Sequence, residues 1–220
     1  MAVRVLGIDP GLTRCGLGVV RIERARQLAF EHVEVLTTAA SDDLQSRIHT
    51  LGLAIERLLD GAEPPDAIAL ERVFAQQNLP SVMGVAQVSG AALFLAAKRG
   101  IPVAMYTPNE VKMQVTGYGA ADKAQVTAMV TRLLGLGAPP KPADAADALA
   151  LAVTHAWQLS RAGGAGERAG RTATGRAGGG SAAHRLGSVA AGGAPAATPA
   201  QRVWQEAERK AGVRRKARRR

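Results

Sequence analysis

The sequence predicts an α/β fold built on a mixed five-stranded sheet, in which two parallel strands extend three antiparallel ones and helices flank the sheet. The first 37 residues contain three short runs rich in β-branched residues, joined by short polar links, and such runs typically pair as an antiparallel meander. Further along, an apolar run, a helical stretch and a second apolar run follow one another. This order favours parallel strands joined by a right-handed crossover.

The five expected strands are short and mostly apolar. A sharp turn separates the first two, a polar link separates the second from the third, and a helix separates the last two. In chain order they are VRVLGI (3–8), CGLGVVRIE (15–23), QLAFEHVEVLT (27–37), AIALERV (67–73) and IPVAMY (101–106).

The first helix is expected to follow the third strand, because apolar residues recur at helical spacing from Leu44 to Leu59. Ser41 is its predicted N-cap, with Asp42 and Asp43 in the first turn, where acidic side chains suit the helix dipole. Gly61 is expected to end the helix.

Four further helices complete the expected fold. One connects the fourth and fifth strands, and three follow the fifth strand, separated by a glycine-containing loop and by several prolines. They are placed at 81–99, at 109–115, at 122–134 and in the stretch DAADALALAVTHAWQLS, which begins at Asp144.

The charge of the chain changes sharply near residue 160. Residues 1–160 carry 14 lysines and arginines and 15 acids, whereas residues 161–220 carry 14 and 3. The first segment is therefore expected to be the folded domain. The second, rich in glycine, alanine and arginine, has too few large apolar residues to offset the entropy of ordering, and we expect a disordered basic tail. Its arginines suit phosphate contacts, although a basic end can also simply promote solubility.

Two further features of the sequence indicate the expected compartment of the protein and the state of its cysteine. No apolar run approaches the length that spans a membrane, and Asp9 interrupts the N-terminus before a signal-peptide core could form, so we expect a cytoplasmic protein without a membrane partner. The single cysteine, Cys15, excludes an intramolecular disulfide, and its apolar neighbours favour a small buried residue.

Four acidic residues are candidates for chemistry. Asp9 ends the first strand in the motif GIDPG (7–11), where it also suits a turn. Asp144 and Asp147 are three apart and therefore share a helix face, where acids also stabilise a helix N-terminus. Glu71 has no such local explanation, because an unpaired carboxylate is costly to bury in an apolar strand.

Together, the four acids predict a metal site. Asp9 ends the first strand, Glu71 lies near the end of the fourth, and the last helix can pack beside both, so the carboxylates are expected to raise one another's pKa values unless cations neutralise them. Oxygen-only ligand sets suit Mg²⁺ or Mn²⁺. Two such ions, about 3.5–4 Å apart, can activate a water and stabilise the leaving oxygen in a displacement at phosphorus. We therefore expect two Mg²⁺ ions per site, with Mn²⁺ as an alternative.

Four motifs in this order, GIDPG, IALERVF, VKMQVTGYGAADKAQV and DAADALALAVTH, resemble the RuvC family of Holliday-junction resolvases across residues 3–156. The resemblance implies an RNase H-like fold and a homodimer that grips a four-way DNA junction and nicks two strands of like polarity symmetrically. It also implies a branch-migration complex of RuvA and RuvB as a partner.

The resemblance also implies roles for individual residues. The acidic quartet of the family falls on Asp9, Glu71, Asp144 and Asp147, although some members carry a histidine at the last position. Further residues that match family positions are Lys112 and Lys123, near the scissile strand, and Phe74, which would insert at the junction centre.

These last three residues also have simpler interpretations. The lysines could be solvated helix residues, and Phe74 could belong to the core, although its small and polar neighbours favour an exposed loop. The expected dimer surface is the second helix, where apolar residues lie beside small ones, but an ordinary buried helix would have the same composition. The residues concerned are Met83, Gly84, Val85, Val88, Gly90, Ala91 and Leu93.

Three other functions fit parts of the sequence. A related RNase H-like nuclease could act on another branched DNA or on RNA, because the acids define the chemistry and not the substrate. A non-catalytic basic nucleic-acid-binding protein would explain the tail but not the acids. The stretch DPGLT also fits a phosphate loop of the actin and sugar-kinase superfamily, but the second domain of that superfamily has no counterpart here.

The basic tail leads to a prediction about salt dependence. Deletion of residues 165–220 should weaken junction binding and flatten its dependence on salt, because fewer phosphate contacts release fewer counterions, while metal-dependent nicking persists. Measurement of the dissociation constant over a range of NaCl concentrations tests this. An unchanged salt slope would contradict it.

Overall fold

The structure is a computed structural model that describes residues 2–23, 27–72 and 79–171. Phe74 and residues 172–220 lie outside these ranges, so the expected disorder of the tail stays a prediction. The chain divides into two units, Met1–Gly175 and Arg176–Arg220, and all the described residues belong to the first.

The described residues form one sheet of five strands, which confirms the expected mixed α/β fold. In space the order is β3-β2-β1-β4-β5, with antiparallel pairing among the first three and parallel pairing of β1 with β4 and of β4 with β5. The strands are β1 (Val3–Asp9), β2 (Arg14–Ile22), β3 (Leu28–Thr37), β4 (Ala67–Glu71) and β5 (Val103–Tyr106).

Helices cover both faces of this sheet. The apolar cluster on one face includes residues of α1 and α2, and the cluster on the other face includes residues of α3, α4 and α5. The helices are α1 (Leu44–Leu59), α2 (Leu79–Lys98), α3 (Pro108–Thr116), α4 (Lys123–Leu133) and α5 (Ala143–Arg171), the last of which runs beyond residue 160. No helix in the described ranges is long and apolar enough to cross a membrane.

The boundaries of α1 differ from the expected ones. Asp43, and not Ser41, is the N-cap, because its carboxylate accepts a hydrogen bond of 2.9 Å from the backbone N–H of Ser46. The helix therefore begins at Leu44, and neither Asp42 nor Asp43 lies in its first turn. It also ends before Gly61, with Asp60 as the C-cap.

Two strands, β4 and β5, are each two residues shorter than expected. β4 ends at Glu71, which makes this acid the last residue of its strand, and β5 begins at Val103 because Pro102 has no N–H to donate. Cys15 is buried among apolar side chains as expected, and burial raises its pKa to about 12, so the thiol stays protonated at neutral pH.

Helix α5 lies directly on strands β1 and β2. A Cβ atom added to Gly7 would lie 2.0 Å from the carbonyl oxygen of Ala148, and one added to Gly16 would lie 2.3 Å from that of Asp144. Only glycine fits at either position, because any side chain would overlap the helix backbone. The first turns of α5 are therefore held against the ends of β1 and β2.

A buried polar contact fixes α5 further along. The hydroxyl of Tyr106, at the end of β5, lies 2.7 Å from Nδ1 of His155 and donates to Gln158 at 3.1 Å. His155 is buried, and this burial lowers its pKa, so the ring is neutral at physiological pH. The contact therefore joins β5, at the edge of the sheet, to α5, the helix that also packs on Gly7 and Gly16.

The close packing predicts a large effect of a small substitution. Gly7→Ala should destabilise the fold by about 2 kcal/mol or more, since the new methyl group overlaps main-chain atoms that cannot move aside alone. Gly52→Ala in α1 is the matched control, because nothing lies within 4 Å of its added Cβ, and it should be neutral or stabilising. Urea unfolding of both variants tests this, and equal midpoints would contradict it.

Candidate active site

Asp9 and Glu71 lie side by side at one edge of the sheet. They end the neighbouring parallel strands β1 and β4, in which Ile8 is paired with Leu70, and their side chains share a hydrogen bond. Burial, as the largest cause, and the charges of Glu71 and of the acids of α5 together raise the pKa of Asp9 to about 8. The pair therefore retains a proton at neutral pH when no cation is bound.

The same factors act on Glu71. Burial is again the largest cause and raises its pKa, as does the charge of Asp147, whereas the hydrogen bond with Asp9 and the positive charge of Lys123 lower it. Both carboxyl groups thus lie where a negative charge is poorly solvated.

Asp144 and Asp147 complete the cluster from α5. Asp144 lies in the first turn of the helix, and both carboxylates are close enough to Asp9 to raise its pKa. Gly16 fixes this approach, since it lies directly beneath the carbonyl of Asp144. The structure therefore brings together all four acids that the sequence indicated.

Two cations flank the acids of α5. Lys123, the first residue of α4, places Nζ 3.1 Å from Oδ2 of Asp147, and this contact raises the lysine pKa. Arg14, the first residue of β2, places Nε 3.6 Å from Oδ2 of Asp144. Arg14 could not be predicted from the sequence, because no local pattern relates the start of β2 to the start of α5.

Lys112 reaches the site from α3. With Lys123, Glu71 and Asp147 it lines a cavity of about 230 Å³, whose remaining wall includes apolar side chains such as Val111. Both predicted lysines therefore lie beside the carboxylates. Phe74 lies outside the described residues, and its role stays a prediction.

The donor set has the chemistry of a site for a hard divalent cation. Four carboxylates supply only oxygen, and Asp9 and Glu71 ionise with difficulty without a positive partner. In the described ranges, however, no three acidic, histidine or cysteine side chains form a group that could hold a metal ion. The residues fit a cation by donor type, and their side chains would have to turn to ligate one.

The strand order β3-β2-β1-β4-β5, with helices on both faces and acids at the ends of β1 and β4, is that of the RNase H-like class. Comparison with known proteins agrees. The family model for the crossover junction endodeoxyribonuclease RuvC matches residues 5–155. The chain therefore belongs to the RuvC family of crossover junction endodeoxyribonucleases.

Individual relatives extend this comparison. A crossover junction endodeoxyribonuclease RuvC from Leifsonia xyli subsp. xyli is 53% identical over 209 residues, which cover 95% of this chain and 93% of that protein. The match thus includes most of the basic tail. The Thermus thermophilus RuvC structure is 36% identical with a TM-score of 0.67, covering 73% of this chain and 97% of that one. The structure of T. thermophilus RuvC in complex with Holliday junction substrate is also 36% identical, with a TM-score of 0.69, and the match covers 73% of this chain and 96% of that one.

The proton held by Asp9 predicts how stability depends on pH. Its pKa rises from an ordinary 3.8 to about 8 on folding, so between these values the folded protein binds more protons than the unfolded chain. The free energy of unfolding in EDTA should therefore fall as the pH rises through this window, by up to about 1.4 kcal/mol per pH unit for one proton.

Urea unfolding at several pH values tests this. Asp9→Asn should remove most of the slope, whereas Asp42→Asn, which removes one exposed acid outside the cluster, should retain it. Parallel profiles for Asp9→Asn and the unmodified protein would contradict the prediction.

Proposed function

We propose that this chain resolves four-way (Holliday) DNA junctions during homologous recombination and repair, by symmetric hydrolysis of two strands of like polarity. The convergence of the four carboxylates at one edge of the sheet carries the hydrolytic part of this proposal. The substrate is supported by membership of the RuvC family and by the related T. thermophilus RuvC, whose structure contains a Holliday junction substrate.

The proposed cofactor is Mg²⁺, two ions per site, with Mn²⁺ as an alternative. The residues that would hold the ions are Asp9, Glu71, Asp144 and Asp147. When bound, such ions activate water and stabilise charge on a leaving oxygen. The half-buried positions of Asp9 and Glu71 support this assignment, because a cation would allow both to ionise.

Lys112 and Lys123 are the proposed contacts to the scissile strand. Both line the cavity beside Glu71 and Asp147, where an ammonium group can balance the charge of a phosphate or of a transition state. Lys123 is 76% exposed at its side chain, so exchanging Asp147 for a phosphate costs little. Phe74, three residues beyond Glu71, is proposed to stack at the junction centre.

We further propose a homodimer that forms through α2. The exposed residues on one face of this helix are apolar up to Lys98 at its end, with Gln87 half-buried beside them, while Val88, which belonged to the expected dimer surface, is fully buried against the core. A contiguous exposed apolar patch of this kind is typical of a surface that another chain covers. The exposed face, called here the α2 surface, consists of Met83, Ala86, Gly90, Leu93, Phe94 and Ala97.

A two-fold pair through the α2 surface would present two identical sites to the approximate two-fold of a junction, as paired nicks require. At Gly90 an added Cβ would meet nothing within 4 Å, which leaves room for close approach of a second helix. The proposed further partner is the RuvA–RuvB branch-migration complex, and the proposed location is the cytoplasm, in keeping with the bacterial DNA-processing enzymes of the family.

Loss of Asp9 should separate binding from cleavage. With Mg²⁺, the unmodified protein should nick a synthetic four-way junction symmetrically, and Asp9→Asn should lower the rate by about 100-fold or more while it still binds the junction. Denaturing electrophoresis of the junction, of plain duplex and of an RNA–DNA hybrid, with Mg²⁺ or EDTA, tests this. Equal cleavage of duplex or hybrid would keep the hydrolytic site but remove the proposed junction specificity.

A charge on the α2 surface should abolish the dimer. Phe94 is 69% exposed, and Phe94→Glu should halve the molar mass measured by light scattering at micromolar concentration. Leu53→Glu is the matched control, since Leu53 is a 51% exposed apolar residue on α1, and it should leave the mass unchanged. A monomeric unmodified protein would contradict the proposal.

A further inference from the structure

Arg14 lies beside the carboxylates. Its guanidinium makes no hydrogen bond to any residue in the described ranges. Its contact with Asp144, at 3.6 Å from Nε, is an ion pair too long for a hydrogen bond. The Arg14 side chain is 60% exposed. All of its N–H donors therefore remain available to a ligand from solution.

The position of Arg14 follows from the order of the strands. Asp9 on β1 and Glu71 on β4 are neighbours, the cavity with both lysines adjoins Glu71, and β2 lies on the other side of β1. Arg14 begins β2, two residues before Gly16, which is paired with Asp9. The cluster thus has lysines on one side and an arginine on the other.

The turn that carries Arg14 is anchored by hydrogen bonds. Arg47 of α1 donates from Nε to the Thr38 hydroxyl at 2.9 Å and from Nη2 to the Thr13 hydroxyl at 3.0 Å. The Thr38 hydroxyl in turn donates to the carbonyl of Leu12 at 2.6 Å. Because hydrogen bonds fix the residues just before Arg14, the backbone that carries its guanidinium has a defined position.

We propose that Arg14 binds a backbone phosphate of the DNA strand to be cut, on the β2 side of the carboxylates. The strand would then cross the cluster from Lys112 and Lys123 to Arg14. A guanidinium matches the geometry of a phosphate with two parallel N–H···O bonds, and an exposed ion pair such as that with Asp144 contributes little and exchanges readily. This inference rests on the proposed function, since it requires DNA as the substrate.

The test measures junction binding without cleavage. In the Asp9→Asn background, a fluorescent four-way junction is titrated at several NaCl concentrations with three further variants: Arg14→Gln, Arg14→Lys and Arg57→Gln. Arg57 is the matched control, because its side chain is 62% exposed and it also pairs with an acid, Glu34, away from the carboxylate edge. Thermal unfolding verifies that each variant folds.

Arg14→Gln should reduce the slope of log K against log salt by about 0.9 for each lost phosphate contact, so over a fourfold rise in salt the affinity of the variant should fall about 3.5-fold less per lost contact than that of its parent. Arg14→Lys should recover most of the slope, because it keeps the charge, and Arg57→Gln should not change it. In the unmodified background, Arg14→Gln should raise KM for the junction with little change in kcat.

An unchanged slope with a lower kcat would overturn the inference and indicate that Arg14 only orients Asp144. A loss of slope in Arg57→Gln equal to that in Arg14→Gln would also overturn it, because the effect would then reflect general charge. Failure of the Asp9→Asn protein itself to bind the junction would instead refute the proposed function, so the two failures are distinguishable.

Discussion

The whole site depends on direct contact between α5 and the backbone of β1 and β2. Gly7 and Gly16 leave no side chain between helix and sheet, so the helix carbonyls lie where Cβ atoms would otherwise be. This contact determines the distance of Asp144 and Asp147 from Asp9. A helix one side-chain layer further from the sheet would keep the fold and separate the acids.

The electrostatics of the site oppose the stability of the free protein. Burial and mutual repulsion keep Asp9 protonated, and Lys123 and Arg14 form ion pairs with the two acids on α5. Such a cluster is stable because the apolar faces of the sheet, and not the acids, provide the folding free energy. The unbalanced carboxylates are available for cations because the core does not use them.

Local patterns in the sequence were sufficient to predict the strands and the acids near their ends. The meander of β1 to β3 and the parallel β4 and β5 follow from β-rich runs and short links, and Glu71 was identified because an acid in an apolar strand needs a partner. The prediction of the N-cap of α1 was wrong because Ser41, Asp42 and Asp43 can all cap a helix. Which of them does so depends on the backbone conformation of the folded turn. Arg14 was missed because its contact depends on how β2 and α5 pack, which no local pattern encodes.

The acids also come from opposite ends of the folded domain in the order of synthesis. Asp9 leaves the ribosome first, whereas Asp144 and Asp147 lie on α5. The strands on which α5 packs, β1 and β2, are synthesised long before the helix itself. An emerging chain therefore cannot assemble the cluster until almost the entire domain has been translated. Incomplete products of translation thus lack the carboxylates of α5 and contain only the pair at the strand ends.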